Sequence, residues 1–222
     1  MAIKDEMNTE KQKLKNMTWK DRLWYINAYY RFHIIACILV IFLLITVGQT
    51  LYRKTFTTRL YISIINDKTQ SAYTETLDAL LQQGLDFGPK DLLEMDSSLY
   101  LSFDEQNMSQ YHYASIAKLT ALLASNTLDL VIADQEFIEN YGKQAAFLNL
   151  EENLDSELYG QLSEDILEVK DEKGQTCPAA ISLEHSILAE ETGIDLSSVY
   201  IAVIRNSAHR EDCLGSIECL FP

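Results

Sequence analysis

The chain has 222 residues, 47% of them hydrophobic, and a formal net charge of −15. That acidity argues against nucleic acid as a partner, because a phosphate backbone is held by basic patches. Four cysteines, with no C-x-x-C and no Cys/His spacing, exclude a zinc motif and leave a disulfide framework thin.

The charge is unevenly spread. Residues 1–31 hold seven Lys/Arg against four acids, and residues 32–222 hold eleven against 29. At the junction lies an uncharged apolar run, 34–47, which extends through its flanking aromatics to residues 32–52. At 1.5 Å per residue, such a helix is about 30 Å long, the thickness of a bilayer hydrocarbon core. The sequence therefore predicts a basic, aromatic cytoplasmic segment (1–31), a single transmembrane helix (32–52) and an extracytoplasmic domain (55–222). The N-terminus is placed inside because basic residues next to a span stay cytoplasmic, although Arg53, Lys54 and Arg59 oppose that bias. Trp19, Trp24, Tyr25, Tyr29 and Tyr30 on one side and Tyr52 on the other fit an interfacial belt. A cleaved signal peptide is disfavoured by the long segment before the run and the missing A-x-A site. Cys37 begins the run rather than ending it, so it does not read as a lipoprotein cysteine.

Beyond the span the hydrophobic pattern alternates between periods. Strands are predicted at 60–66 (LYISIIN), 98–103 (SLYLSF), 128–133 (LDLVIA), 166–169, 180–183 and 199–204 (VYIAVI), with a short one at 147–150. Helices are predicted at 69–85, 109–126, 135–141, 155–162, 184–192 and 208–220, the fifth stopped by Gly193. Residues 171–174 (DEKG) read as a hairpin-like turn. Strand–helix alternation in the first half implies an α/β domain with a mostly parallel mixed sheet and helices on both faces. Cys213 and Cys219, six apart on the last helix, point away from each other, which leaves open either a pairing of one of them with Cys177 or three unpaired thiols.

Two segments resemble a known family. Residues 119–150 (LTALLASNTLDLVIADQEFIENYGKQAAFLNL) and 199–221 (VYIAVIRNSAHREDCLGSIECLF) are similar to parts of bacterial extracellular solute-binding proteins of the periplasmic-binding-protein type II. The second segment includes the turn Asn206-Ser207, which in that family follows a strand at the lobe crossover. The aromatic, basic front resembles membrane-anchored extracytoplasmic proteins of low-GC Gram-positive bacteria. The resemblance implies a solute-binding-like domain with its second lobe reduced, because only 50 residues (149–198) separate the strands where a lobe would be inserted.

Candidate chemistry is sparse. Ser186 beside His185 and Ser207 near His209 are sequence neighbours, not a triad, and no P-loop or nucleophile motif appears, so the expectation is a non-enzyme without a cofactor. Asn66, Asp67, Asp104 and Asp134, with Gln135, stand at predicted strand ends, where an α/β sheet binds ligands. Asp67 and Asp134 also precede helices, and a capping role competes with ligand binding. Tyr111 and Tyr113 are read as packing at a core rim. The expected function is a tethered extracytoplasmic binding domain, for a small solute or as accessory to a transporter or sensor. The alternative is a non-ligand-binding structural or interaction subunit of a membrane complex.

Overall fold

The structure is a computed structural model describing residues 18–104 and 109–222; residues 1–17 of the basic N-terminal segment lie outside the described residues. The chain divides into two compact units, Met1–Thr55 and Phe56–Pro222.

The described residues of the first unit form a helix, α1 (Trp19–Arg53), started by the hydroxyl of Thr18, which accepts from the Asp21 amide. Within it Tyr30–Arg53, 24 residues whose most apolar 18-residue stretch has a mean hydropathy of 2.7, is long and apolar enough to cross a bilayer. Trp19, Trp24 and Phe32 are all exposed.

The second unit is built on six strands in the order β2-β1-β3-β6-β5-β4. They are β1 (Thr57–Ile65), β2 (Asp91–Leu99), β3 (Leu130–Asp134), β4 (Ile166–Lys170), β5 (Thr176–Ser182) and β6 (Val199–Val203). The helices are α2 (Thr74–Gly84), α3 (Gln110–Ala124), α4 (Gln135–Gly142), α5 (Leu150–Asn153), α6 (Ser156–Gln161), α7 (Ile187–Thr192) and α8 (Arg210–Leu220).

The strands alternate sides as a doubly covered sheet requires. Leu60, Ile62, Ile64, Leu130, Ile132, Ile201 and Val203 face one layer, where Leu77 and Leu81 of α2, Leu188 of α7 and Ile217 of α8 pack. Ile65, Val131, Ala133, Ala180 and Ala202 face the other, against Leu119 of α3 and Phe137 and Ile138 of α4. Each large aliphatic side chain so buried contributes about 1.5–3 kcal/mol.

The sheet is less parallel than the sequence implies. β1 pairs parallel with β2 and β3, whereas β3–β6, β6–β5 and β5–β4 are antiparallel. The cause lies after β3. β4 and β5 are joined by the tight turn at Asp171, whose side chain accepts from the amides of Lys173 and Gln175, and a turn of that kind can join only antiparallel neighbours. The second strand also differs. It is β2 rather than 98–103, and it escapes the apolar pattern because, as an edge strand, it exposes Leu92 and Glu94 and needs only one packed face. Residues 147–150 form a single bridge, Phe147 to Ile204, and then the start of α5. The helix expected from residue 69 begins at Thr74, because Gln70 and Ser71 take left-handed backbone conformations. All four cysteines are free.

Helices α2 and α8 meet where α2 ends. A methyl group on Gly84 would overlap Cys219 Sγ and stand 3.0 Å from its Cβ. Gly84→Ala is expected to lower stability by about 1–3 kcal/mol through overpacking. Adding Cys219→Ala to the same chain should recover most of that loss in thermal denaturation. An unchanged melting temperature for Gly84→Ala alone would contradict this packing.

Candidate functional site

The loop after β1 and the start of α4 meet at the carboxyl ends of β1 and β3. The chain leaves β1 for β2 on one side and returns as β3 on the other, so this is the topological switch point of the parallel half. Asn66 occupies a left-handed conformation (φ 57°), which Asn tolerates better than most residues. Its side-chain carbonyl accepts from the Leu101 amide at 2.8 Å, and its amide donates to Asp134 Oδ2 at 3.0 Å. Asp134 Oδ1 accepts from the Phe137 amide at 3.0 Å and so caps α4.

Asp67 organises the loop itself. Its Oδ1 accepts from the Thr69 amide (2.9 Å) and hydroxyl (2.7 Å), and its Oδ2 from the Ser71 amide (2.6 Å) and hydroxyl (3.2 Å). Burial alone would push this carboxyl up, but the four donors from Thr69 and Ser71 outweigh it and hold it below its ordinary value. The same bonds compensate the strain of Gln70 (φ 55°) and Ser71 (φ 63°). They also turn two loop amides inward, so those amides are not available to cradle a phosphate.

Asn66, Asp67 and Asp134 thus line one crevice, together with Asp195 and Ser198 from the segment before β6. Its volume is 60 Å³, room for a few waters. Asp104 is not part of it. That residue is exposed beyond β2, its amide donating to Ser102 Oγ. Gln135 is also exposed, and its amide donates to Glu139 on the outer face of α4. No group of three or more metal-ligating side chains occurs among the described residues. Tyr111 and Tyr113, expected to pack, are 61% and 59% exposed; His112 between them is the buried residue, its Nδ1 accepting from the Ser102 amide.

A second polar cluster lies in the interior, and the sequence reading missed it. Asp129, fully buried, stands just before β3. Its Oδ2 accepts from the Tyr61 amide (2.9 Å) and its Oδ1 from the Ser207 hydroxyl (2.6 Å), while His209 Nδ1 lies within hydrogen-bond distance, 3.2 Å, of both oxygens. The residue types are those of a catalytic triad, but the connections are not. A nucleophilic serine must give its proton to the imidazole. Here Ser207 donates to the carboxylate instead, and its oxygen accepts from the His209 backbone amide. Cys213, 3.4 Å from Ser207 Oγ, is fully buried and its thiol is pushed up to about 12, chiefly by desolvation, which leaves it inert. His185 pairs with Asp165 at the surface, and Ser186 donates to the Leu183 carbonyl and caps α7. A buried Asp in an apolar strand, LDLVIA, is the signal that could have pointed to the cluster.

Comparisons of the chain with protein-family models, curated proteins and solved structures find no match. The likeness of residues 119–150 and 199–221 to solute-binding proteins therefore rests on those residues alone.

Two measurements test this geometry. Asp129→Ala strands the Tyr61 amide and the Ser207 hydroxyl and is expected to cost about 3–5 kcal/mol in urea denaturation, with Asp129→Asn costing less because one acceptor oxygen remains. A loss under about 1 kcal/mol would show that the cluster is not needed. For Asp67, a lowered folded value means that its stabilisation is present above the ordinary carboxyl value of about 3.9 and is lost as pH falls through the folded value. The amide resonances of Thr69 and Ser71 should hold steady from pH 7 to about 4 and move only below it; a midpoint above about 4 would refute the arrangement.

Proposed function

We propose that this protein is a membrane-tethered extracytoplasmic binding domain that recognises a small solute, or serves as accessory to a transporter or sensor in the same membrane. The observation that carries the reading is the join between its two parts. The spanning-length helix ends at Arg53 and β1 begins at Thr57, so only residues 54–56 connect them. Three residues reach at most about 10 Å. With α1 in a bilayer, that join keeps the domain tethered to the membrane.

Composition supports this. Residues 56–222 carry nine Lys/Arg against 29 Asp/Glu, a charge of −20, which suits a water-exposed domain facing a basic partner surface. One observation favours the alternative, a structural or interaction subunit that takes no solute. The switch-point crevice has 60 Å³, and the carboxylates of Asp67 and Asp134 are already engaged with protein donors. Solute capture at that crevice would need its loop to open.

Orientation is tested on the full chain carrying an N-terminal tag, expressed in cells stripped to protoplasts. External protease should digest residues 56–222 and leave the tag protected. Digestion of the tag with survival of the domain would overturn the extracytoplasmic placement.

A further inference from the structure

A chemically distinctive cavity lies at the opposite end of the sheet from the crevice. Asp134 pairs with Val199 at the start of β6, whereas this cleft, of 410 Å³, opens where β6 ends, at Arg205. A volume in this range is typical of small-ligand sites. Its floor is apolar, with Phe147 2% exposed and Leu148 4%. Its rim is cationic in a domain that is otherwise strongly acidic. Arg205 and Arg210 line it, and Lys143 and Lys173 line its outward continuation, which shares Arg205. Four of the nine basic residues of the domain thus gather here, against three acids, Glu152, Asp171 and Glu172.

Arg205 is held ready. Its backbone amide donates to the Ala146 carbonyl at 2.9 Å and its Nε to the Phe147 carbonyl at 3.3 Å. These bonds leave both terminal amino groups without a partner among the described residues. The loop that receives them contains Ala145 at φ 57°, a left-handed conformation costly for alanine and kept in place by these contacts. Of the acids, Asp171 is turned toward its own hairpin, accepting from Lys173 and Gln175. A pre-oriented guanidinium with two free parallel donors matches the two oxygens of a planar carboxylate. The charge of −20 weighs against a dianion such as phosphate.

We propose that this cleft binds a small monocarboxylate, its carboxylate forked by Arg205 and its short hydrocarbon body laid on Phe147 and Leu148. The inference deepens the binding-domain reading by naming a ligand class and a place for it. The experiment uses the full chain in detergent micelles, labelled with 15N-arginine, which reports six side chains. Butyrate is titrated against sodium chloride and sodium phosphate at matched ionic strength. The Arg205 Nε–H resonance should shift and saturate with butyrate, half-saturating at roughly millimolar concentration as one bidentate charge-assisted pair allows. Arg59, already paired with Asp212, should not move. In Arg205→Gln the accompanying butyrate shift of Arg210 should disappear, and Arg205→Lys, which keeps the charge but not the fork, should weaken saturation. A linear response, or one matched by chloride, would overturn the site; an equal response to phosphate would overturn the ligand class. Failure here is distinguishable from failure of the binding-domain reading, because inverted topology in protoplasts would leave the butyrate titration unchanged.

Discussion

Asp129 has no exposed surface, so its charge must be met inside the protein. The groups that meet it come from two places far from it in sequence: the Tyr61 amide in β1, and the Ser207 hydroxyl and His209 in the turn between β6 and α8. An unpaired carboxylate in such a place would cost several kcal/mol, so the antiparallel return of β6 and the docking of α8 hold only in the arrangement that brings all three together. The backbone reinforces the knot, with the Asp129 amide donating to the Tyr61 carbonyl and the Ile204 amide to the Asp129 carbonyl. Where this carboxylate sits, parallel pairing gives way to antiparallel.

Both cavities inherit their positions from that change of direction. On one side, the ends of β1 and β3 come together with the start of β6, which creates a narrow crevice whose polar groups satisfy one another. On the other, the end of β6 meets the β4–β5 turn and the loop after α4, joined by the single Phe147–Ile204 bridge and a few backbone hydrogen bonds, and a wider cleft remains between them. Self-satisfaction in the first and unpartnered donors in the second follow from the same topology. A second ionic tie works at the outer edge of the sheet. Arg59 of β1 stacks on Phe87 and pairs with Asp91 and Asp212, so α8 is fastened at its start by His209 and by Arg59.

Much of this was legible in the sequence for a physical reason. β1, β3, β6 and the helices packed on them carry strong apolar patterns because they are buried on one or both faces, and the spanning-length helix shows as an unbroken apolar run. Asn66, Asp67 and Asp134 were legible as a group because strand ends in a parallel unit share a rim. What escaped depends on partners distant in the chain. β2 has a weak pattern because an edge strand needs one covered face, and Asp104 was grouped with the rim only because the second strand was placed several residues late. The antiparallel half was hidden because pairing direction is set by turn length and by contacts such as Asp129 with Ser207. Arg205 gave no signal, since a lone arginine after a strand acquires meaning only when its neighbours across the cleft are known.

The three-residue join after α1 has a thermodynamic consequence. With α1 in a bilayer, the domain and any membrane protein beside it share one thin layer, and their encounter proceeds at an effective concentration that can reach about a millimolar. An interface with a dissociation constant near that value, far too weak to survive in free solution, would then be about half occupied. Such an assembly would need neither a large contact area nor a deep pocket, and it would fall apart on dilution into detergent.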